Sequence, residues 1–174
     1  MSRQFVISLT TLKRTEGASK DFHCEGSFDD PIEVGLTSLP AGNSLRVDGT
    51  LQSVGDGVLM SGVLVCSVDF QCSRCLQQGS QTAEIPVQEL FIYPEKQTQY
   101  DDEDVRFITE ESIDLTDTIR DALILDQPLS PLCTPDCRGL CQECGADLNA
   151  DPDHDHGDGV DSRWLTLTEW GKMS

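Results

Sequence analysis

The chain has 174 residues, with 12 Lys and Arg against 31 Asp and Glu, a formal net charge of -19. That imbalance opposes non-specific adhesion to nucleic-acid phosphates and favours cationic partners, such as a basic protein or divalent ions, although charge of this kind also serves simply to keep a protein soluble. The length suits one compact core with a smaller appendage.

No arginine-led apolar stretch opens the chain, since Met1 to Leu12 alternates polar and apolar residues. The longest uncharged apolar-rich run extends only from Gly57 to Val68, short of the about 20 apolar residues that a membrane-crossing helix needs. Neither a signal peptide nor a transmembrane segment is expected, and the expected location is cytoplasmic. Eight cysteines without an export signal imply a reducing compartment, where thiols persist as metal ligands or core residues.

The first 95 residues read as β-structure. Leu45, Val47, Gly49 and Leu51 alternate with polar neighbours, and Gly55-Asp56-Gly57 then turns the chain into a second extended run, Val58 to Phe70, a hairpin signal. Leu59, Val63, Val65 and Phe70 mix there with glycines, which favours a half-buried, twisted strand. Thr82 to Tyr93 reads as a further strand, with Pro86 marking an edge position or a bulge. Between Pro94 and Glu111 the acids Asp101, Asp102, Glu103 and Asp104 crowd together with little apolar support, which reads as a mobile acidic loop. A helix follows, capped by Asp114, with Leu115, Ile119, Ala122 and Leu123 on one face, and it ends near Asp126 because Pro128 follows.

From Ser130 onward Pro, Gly, Cys and Asp dominate, and a segment so poor in apolar residues needs a staple. Zinc prefers thiolate and imidazole ligands in a closed tetrahedron, taken in pairs two to four residues apart so that one turn presents both. Cys133 and Cys137, then Cys141 and Cys144, supply two such pairs, and Gly145 suits the turn after the second. His154 and His156 add two imidazoles, with Asp153 and Asp155 placed to orient them. Cys72 and Cys75 form one more pair at a strand end. With no helix after Cys75, a structural role suits it better than redox catalysis. Two arrangements are open: all four late cysteines around one ion, or Cys141, Cys144, His154 and His156 around one while Cys133 and Cys137 join Cys72 and Cys75. Cys24 and Cys66 read as buried small hydrophobes and His23 has no spaced partner. The chain shows no acid/base constellation, phosphate loop or nucleotide fingerprint.

These elements predict an α+β fold. An antiparallel, twisted or barrel-like sheet with one main helix occupies residues 1–128, including the acidic loop near 95–111. A Cys/His-rich extension, stabilised by structural zinc, spans 129–174 and packs back on the body through Trp164, Leu165 and Leu167.

Three pieces in order carry a resemblance: Cys72-Ser73-Arg74-Cys75-Leu76; Pro128-Leu129-Ser130-Pro131-Leu132-Cys133; and Asp136-Cys137-Arg138-Gly139-Leu140-Cys141 running on to Cys144-Gly145-Ala146-Asp147-Leu148-Asn149. Over roughly residues 5 to 170 the chain resembles the YceD family, the large ribosomal RNA subunit accumulation proteins. The resemblance implies a non-catalytic ribosome-biogenesis factor that supports accumulation of large-subunit (23S) ribosomal RNA. Genes of the family commonly lie beside one for a small basic ribosomal protein, which implies such a protein, or a pre-ribosomal particle, as partner, with RNA contact indirect or local. Many relatives carry a Cys-x-Cys pair where this chain has His154 and His156, an exchange that preserves a zinc site. Other relatives lack most of the late cysteines, so metal is not essential to the shared function. Two alternatives stand beside this reading: a zinc-ribbon RNA-binding module, for which only Arg138 and Arg163 supply nearby charge, and a thiol or zinc-dependent enzyme.

Overall fold

The computed structural model describes residues 4–99 and 105–157. The expectations placed on Asp101 to Asp104 and on the stretch from Ser162 to Trp170 lie outside those residues. The described chain forms β1 (Val6–Ser8), β2 (Ser19–Gly26), β3 (Ile32–Val34), β4 (Thr37–Leu39), β5 (Leu45–Val54), β6 (Gly57–Gln71), β7 (Gln78–Ile92), β8 (Arg106–Phe107), β9 (Ser112–Asp114) and α1 (Thr116–Asp126). This is an α+β protein, mostly antiparallel sheet with one α-helix among the described residues.

The long hairpin of β6 and β7 organises the sheet. Its register runs unbroken from Gly57 opposite Ile92 to Gln71 opposite Gln78, so Pro86 sits in β7 without a bulge. On its other side β6 is long enough for two neighbours: β5 covers Gly57 to Cys66, and β4, which leads on to β3, pairs at Asp69 and Phe70. β2 pairs with β5, and β8 runs parallel to the end of β7. β1 and β9 form a separate two-stranded sheet. The hydrogen-bonded path is open at its ends among the described residues, so the sheet is not a closed barrel.

Period-two alternation decides which face is buried. Leu45, Val47 and Leu51 of β5, Met60 and Leu64 of β6 and Phe91 of β7 lie at or below 1% exposure, and α1 closes this core with Ile119 and Leu123. Leu59, Val63 and Val65, apolar members of the same strand, fall on the opposite, less buried face of β6. The backbones of β5 and β6 draw together at Gly49 and Gly62, where a Cβ on Gly62 would stand 2.7 Å from the Asp48 carbonyl oxygen. Cys24 and Cys66 are buried in the core, and burial pushes the Cys24 thiol up to about 11.

Two expectations shift. The helix cap is Leu115, one residue later than predicted; Asp114 still serves the first turn by accepting from the Thr116 amide at 2.9 Å, while the buried Leu115 amide donates to the Phe5 carbonyl. The segment expected as a mobile acidic loop is partly ordered. Pro94–Gln99 forms a 3-10 turn, Arg106 and Phe107 pair with β7, and Ile108 is buried at 4%. Arg106 was the missed signal: it meets Glu89 at 3.2 Å and Asp121 at 2.6 Å, tying β8 to both β7 and α1.

Candidate metal centre

The tip of the β6–β7 hairpin is the turn Cys72 to Gln77. The Leu76 amide donates to the Cys72 carbonyl, and the Cys72 amide to the Gln77 carbonyl, both at 2.9 Å. The turn from Cys141 to Ala146 repeats the pattern: the Gly145 amide reaches the Cys141 carbonyl at 2.9 Å and the Cys141 amide the Ala146 carbonyl at 2.8 Å. In both, the residue after the second cysteine takes a positive φ, +75° at Gly145 and +62° at Leu76. Glycine enters that region freely, whereas leucine does so at a cost of about 1–2 kcal/mol. Leu76→Gly should therefore stabilise this turn by about 1 kcal/mol after allowing for glycine's freer unfolded chain, seen as a roughly fivefold gain in zinc affinity in a chelator competition.

The eight residues gather into two sets. Cys72, Cys75, Cys133 and Cys137 have their sulfurs within 4.8 Å of one another, and so do the ligand atoms of Cys141, Cys144, His154 and His156. The four late cysteines do not share one centre. In the first set Cys72 and Cys137 sulfurs are 3.8 Å apart, and Cys75 and Cys133 sulfurs 3.6 Å. A tetrahedron with about 2.3 Å zinc–sulfur bonds has edges of about 3.8 Å, whereas a disulfide brings sulfurs to about 2.0 Å. All eight cysteines are free thiols. In the second set Cys144 sulfur lies 3.1 Å from His154 Nε2, Cys141 sulfur 3.2 Å from His156 Nε2, and the two Nε2 atoms 2.9 Å apart. These edges are a few tenths of an ångström inside the about 3.4–3.6 Å of a mixed sulfur–nitrogen tetrahedron around zinc. Each set offers four soft or borderline donors and nothing else, the composition of a closed structural zinc site.

Backbone amides polarise each set. The Cys75 amide, helped by those of Cys133 and Arg74, draws the Cys72 thiol down to about 6 against its burial. The Gln77 amide acts likewise on Cys75, but burial and the neighbouring sulfurs outweigh it and push that thiol up to about 12. The sulfur of Cys75 favours ionisation of Cys133, yet Cys137 and burial prevail and raise it. In the second set the amides of Cys144 and Glu143 draw Cys141 down to about 6. One thiolate forms readily in each set, and in the first set Cys75 and Cys133 then resist; a central divalent cation removes that conflict.

Outer contacts fix the ligands. Asn149 Nδ2 approaches the Cys137 sulfur at 3.5 Å, while its Oδ1 accepts from the Arg138 amide at 2.7 Å. His154 Nδ1 faces Asp151 at 3.8 Å and His156 Nδ1 faces Glu143 at 3.5 Å, which leaves both Nε2 atoms for the centre. Sequence spacing pointed to Asp153 and Asp155 for this role; instead Asp155 accepts from the Gly157 amide, a turn contact too local for spacing to reveal. Pro131, Arg74 and Leu140 clasp the hairpin tip to the extension: the Ser73 amide donates to the Pro131 carbonyl, the Leu140 amide to the Arg74 carbonyl and Arg74 Nη1 to the Cys137 carbonyl. Gly139, at φ +80°, permits the approach, since a Cβ there would stand 2.9 Å from the Arg74 oxygen. His23 takes no part: it is exposed and paired with Asp48 at 2.6 Å.

Fold and clusters together define an acidic α+β protein whose polar extension is clasped to a β-hairpin tip through paired cysteine turns. The chain belongs to the YceD family, described as large ribosomal RNA subunit accumulation protein YceD, which matches residues 60–169. Among its relatives, a Mycobacterium tuberculosis protein described as uncharacterized is 34% identical over 167 residues, 94% of this chain and 79% of the relative. Bacillus subtilis YlbN, also described as uncharacterized, is 25% identical over 146 residues, 80% of this chain and 84% of its own. A Zea mays protein named large ribosomal RNA subunit accumulation protein YCED homolog 1, chloroplastic, is 45% identical over 40 residues, 23% of this chain and 14% of its own. No solved structure matches the chain significantly. No helix among the described residues is long and apolar enough to cross a membrane.

Proposed function

We propose that this protein is a non-catalytic ribosome-biogenesis factor of the cytoplasm that supports accumulation of large-subunit ribosomal RNA by binding a basic ribosomal protein or an assembly intermediate. The observation that carries the reading is family membership joined to a net charge of -19, which suits a cationic protein partner and opposes direct, broad contact with RNA phosphate. Zinc is assigned a structural role: Cys72, Cys75, Cys133 and Cys137 hold one ion, and Cys141, Cys144, His154 and His156 a second.

Two features of the site weigh against the alternatives. Arg138, which an RNA-binding ribbon would present to phosphate, spends its side chain on the Pro152 carbonyl at 2.9 Å, and Arg74 on that of Cys137. Cys72, the first thiol of its pair, is fully buried at 0% exposure, so an incoming disulfide substrate has no path to it. Co-sedimentation tests the main reading: the protein should travel with large-subunit precursors in a low-salt gradient and leave them at high salt. Migration only at the top of the gradient under both conditions, with precursor levels unchanged when the protein is depleted, would overturn it.

A further inference from the structure

The outer edge of β7 lies away from both clusters. β6 pairs with β7 along its whole length, but on the other side β8 reaches only Phe91 and Ile92, and among the described residues no strand follows from Leu90 back to Gln78. Strand parity shows which backbone groups this leaves open. The Ile92 carbonyl accepts from the Ile108 amide on the β8 side, whereas the Tyr93 amide donates to Asp56 on the β6 side. Both polar groups of a residue share one edge of its strand, so Glu84, Pro86, Gln88 and Leu90 face outward. Pro86 is tolerated without a bulge because its missing N–H falls on the open edge.

A groove of about 360 Å³ runs along this edge. Its one wall is the consecutive stretch 85–89 of β7, as expected for a strand met edge-on; the other is the stripe Thr118, Ala122 and Leu125 of α1. Leu125 is 84% exposed, and Thr118, at 4%, keeps a buried hydroxyl with no hydrogen-bond partner. Glu89, Asp121 and Asp126 are the charged members of the lining, and no Lys or Arg is among them. The protein's own β8 shows what fits: a short strand on the same edge whose Arg106 guanidinium bridges Glu89 on one wall and Asp121 on the other.

We propose that this groove receives an extended, basic segment of a partner protein, added as a β-strand beside the stretch of β7 that β8 leaves uncovered among the described residues. Main-chain bonds to Gln88 and its outward neighbours supply affinity, the apolar stripe takes alternate side chains, and Asp126, the lining acid that Arg106 does not bridge, takes Lys or Arg. A second copy of this chain is a poor occupant, because each copy carries a net charge of -19. The proposal rests on the reading of a basic partner and names the surface that reading needs.

The test uses the full chain and a fluorescein-labelled decapeptide of alternating lysine and valine, followed by anisotropy, with hydrogen exchange on the complex. Binding should fall at least tenfold in the variant carrying Leu125→Lys and Asp126→Lys, both exposed positions, and equally when alternate peptide amides are methylated; the Gln88 amide should gain protection. Unchanged affinity in the variant, or protection elsewhere, overturns the groove. So does protection of Gln88 in the peptide-free chain that Trp164→Ala releases, which assigns the groove to this chain's own C-terminal segment, or a dimer that the double variant abolishes. Purified basic large-subunit ribosomal proteins separate the two readings: equal binding to wild type and variant removes the groove alone, and binding to neither removes the basic partner as well.

Discussion

Replacing Cys72 with serine should cut the zinc bound per chain from two ions to one and free the extension from the β6–β7 hairpin. The first cluster joins residues 58 to 65 positions apart in sequence, and around it Cys72, Cys75 and Cys137 form a small buried group with Leu132 and Leu140, separate from the main core. Beyond that group the stretch from Ser130 to Gly157 buries little, so nothing else of comparable strength holds it. Structural zinc in short peptides contributes apparent free energies of about 10–16 kcal/mol near neutral pH, far above the about 1 kcal/mol of each backbone bond at the clasp. Hydrogen exchange should accelerate by orders of magnitude at the amides of Ser73 and Leu140, while β5 and β6 keep their protection because their core does not include the cluster. His154→Ala should also remove one ion, yet leave those two amides protected. Reduced wild-type protein that contains no stoichiometric zinc by mass spectrometry, or an extension equally protected in Cys72→Ser, would remove the basis for the assignment.

The sequence was most legible where one local period governs. The alternation of Leu45, Val47 and Leu51 is the inward face of β5, and Leu115, Ile119 and Leu123 are the buried side at α1, because each pattern matches the geometry of a single element. The turns around Cys72-Cys75 and Cys141-Cys144 were legible for the same reason. Which turn joins which partner was not. Cys133 and Cys137 lie four to eight residues from Cys141, and only the fold, by carrying the hairpin tip across the extension, sets them against Cys72 and Cys75 instead. The outer partners escaped too: Asp151 and Glu143 reach the histidines from a turn before and from the neighbouring knuckle, and Asn149 reaches Cys137 across a bridge between Leu140 and Asp147. β8 gave no signal because two residues are too few for a period, and its place depends on Arg106 finding acids on two other elements.

Binding of a purified basic large-subunit ribosomal protein should weaken at least tenfold between about 50 mM and 300 mM salt. Screening lengths fall over that range from about 14 Å to about 6 Å, so charges that do not touch cease to attract. The protein's charge balance would supply such an attraction. Several of its few cations are already engaged with its own acids, Arg14 with Glu95 at 3.0 Å, Lys96 with Asp56 at 3.0 Å, Arg46 with Asp48 at 2.9 Å and Arg106 with Glu89 and Asp121. With 31 acids against 12 bases, the surplus carboxylates are solvated and screened by counterions, which a basic partner would displace. Such long-range attraction acts mainly on the association rate, so the salt effect should appear in the on-rate more than in the off-rate. A flat profile would mean that recognition is apolar and local, and the charge would then serve solubility alone. The groove variant separates these terms further: Leu125→Lys with Asp126→Lys moves the net charge by three, from -19 to -16, in a field set by many, so it should raise the off-rate while leaving most of the salt dependence of the on-rate in place.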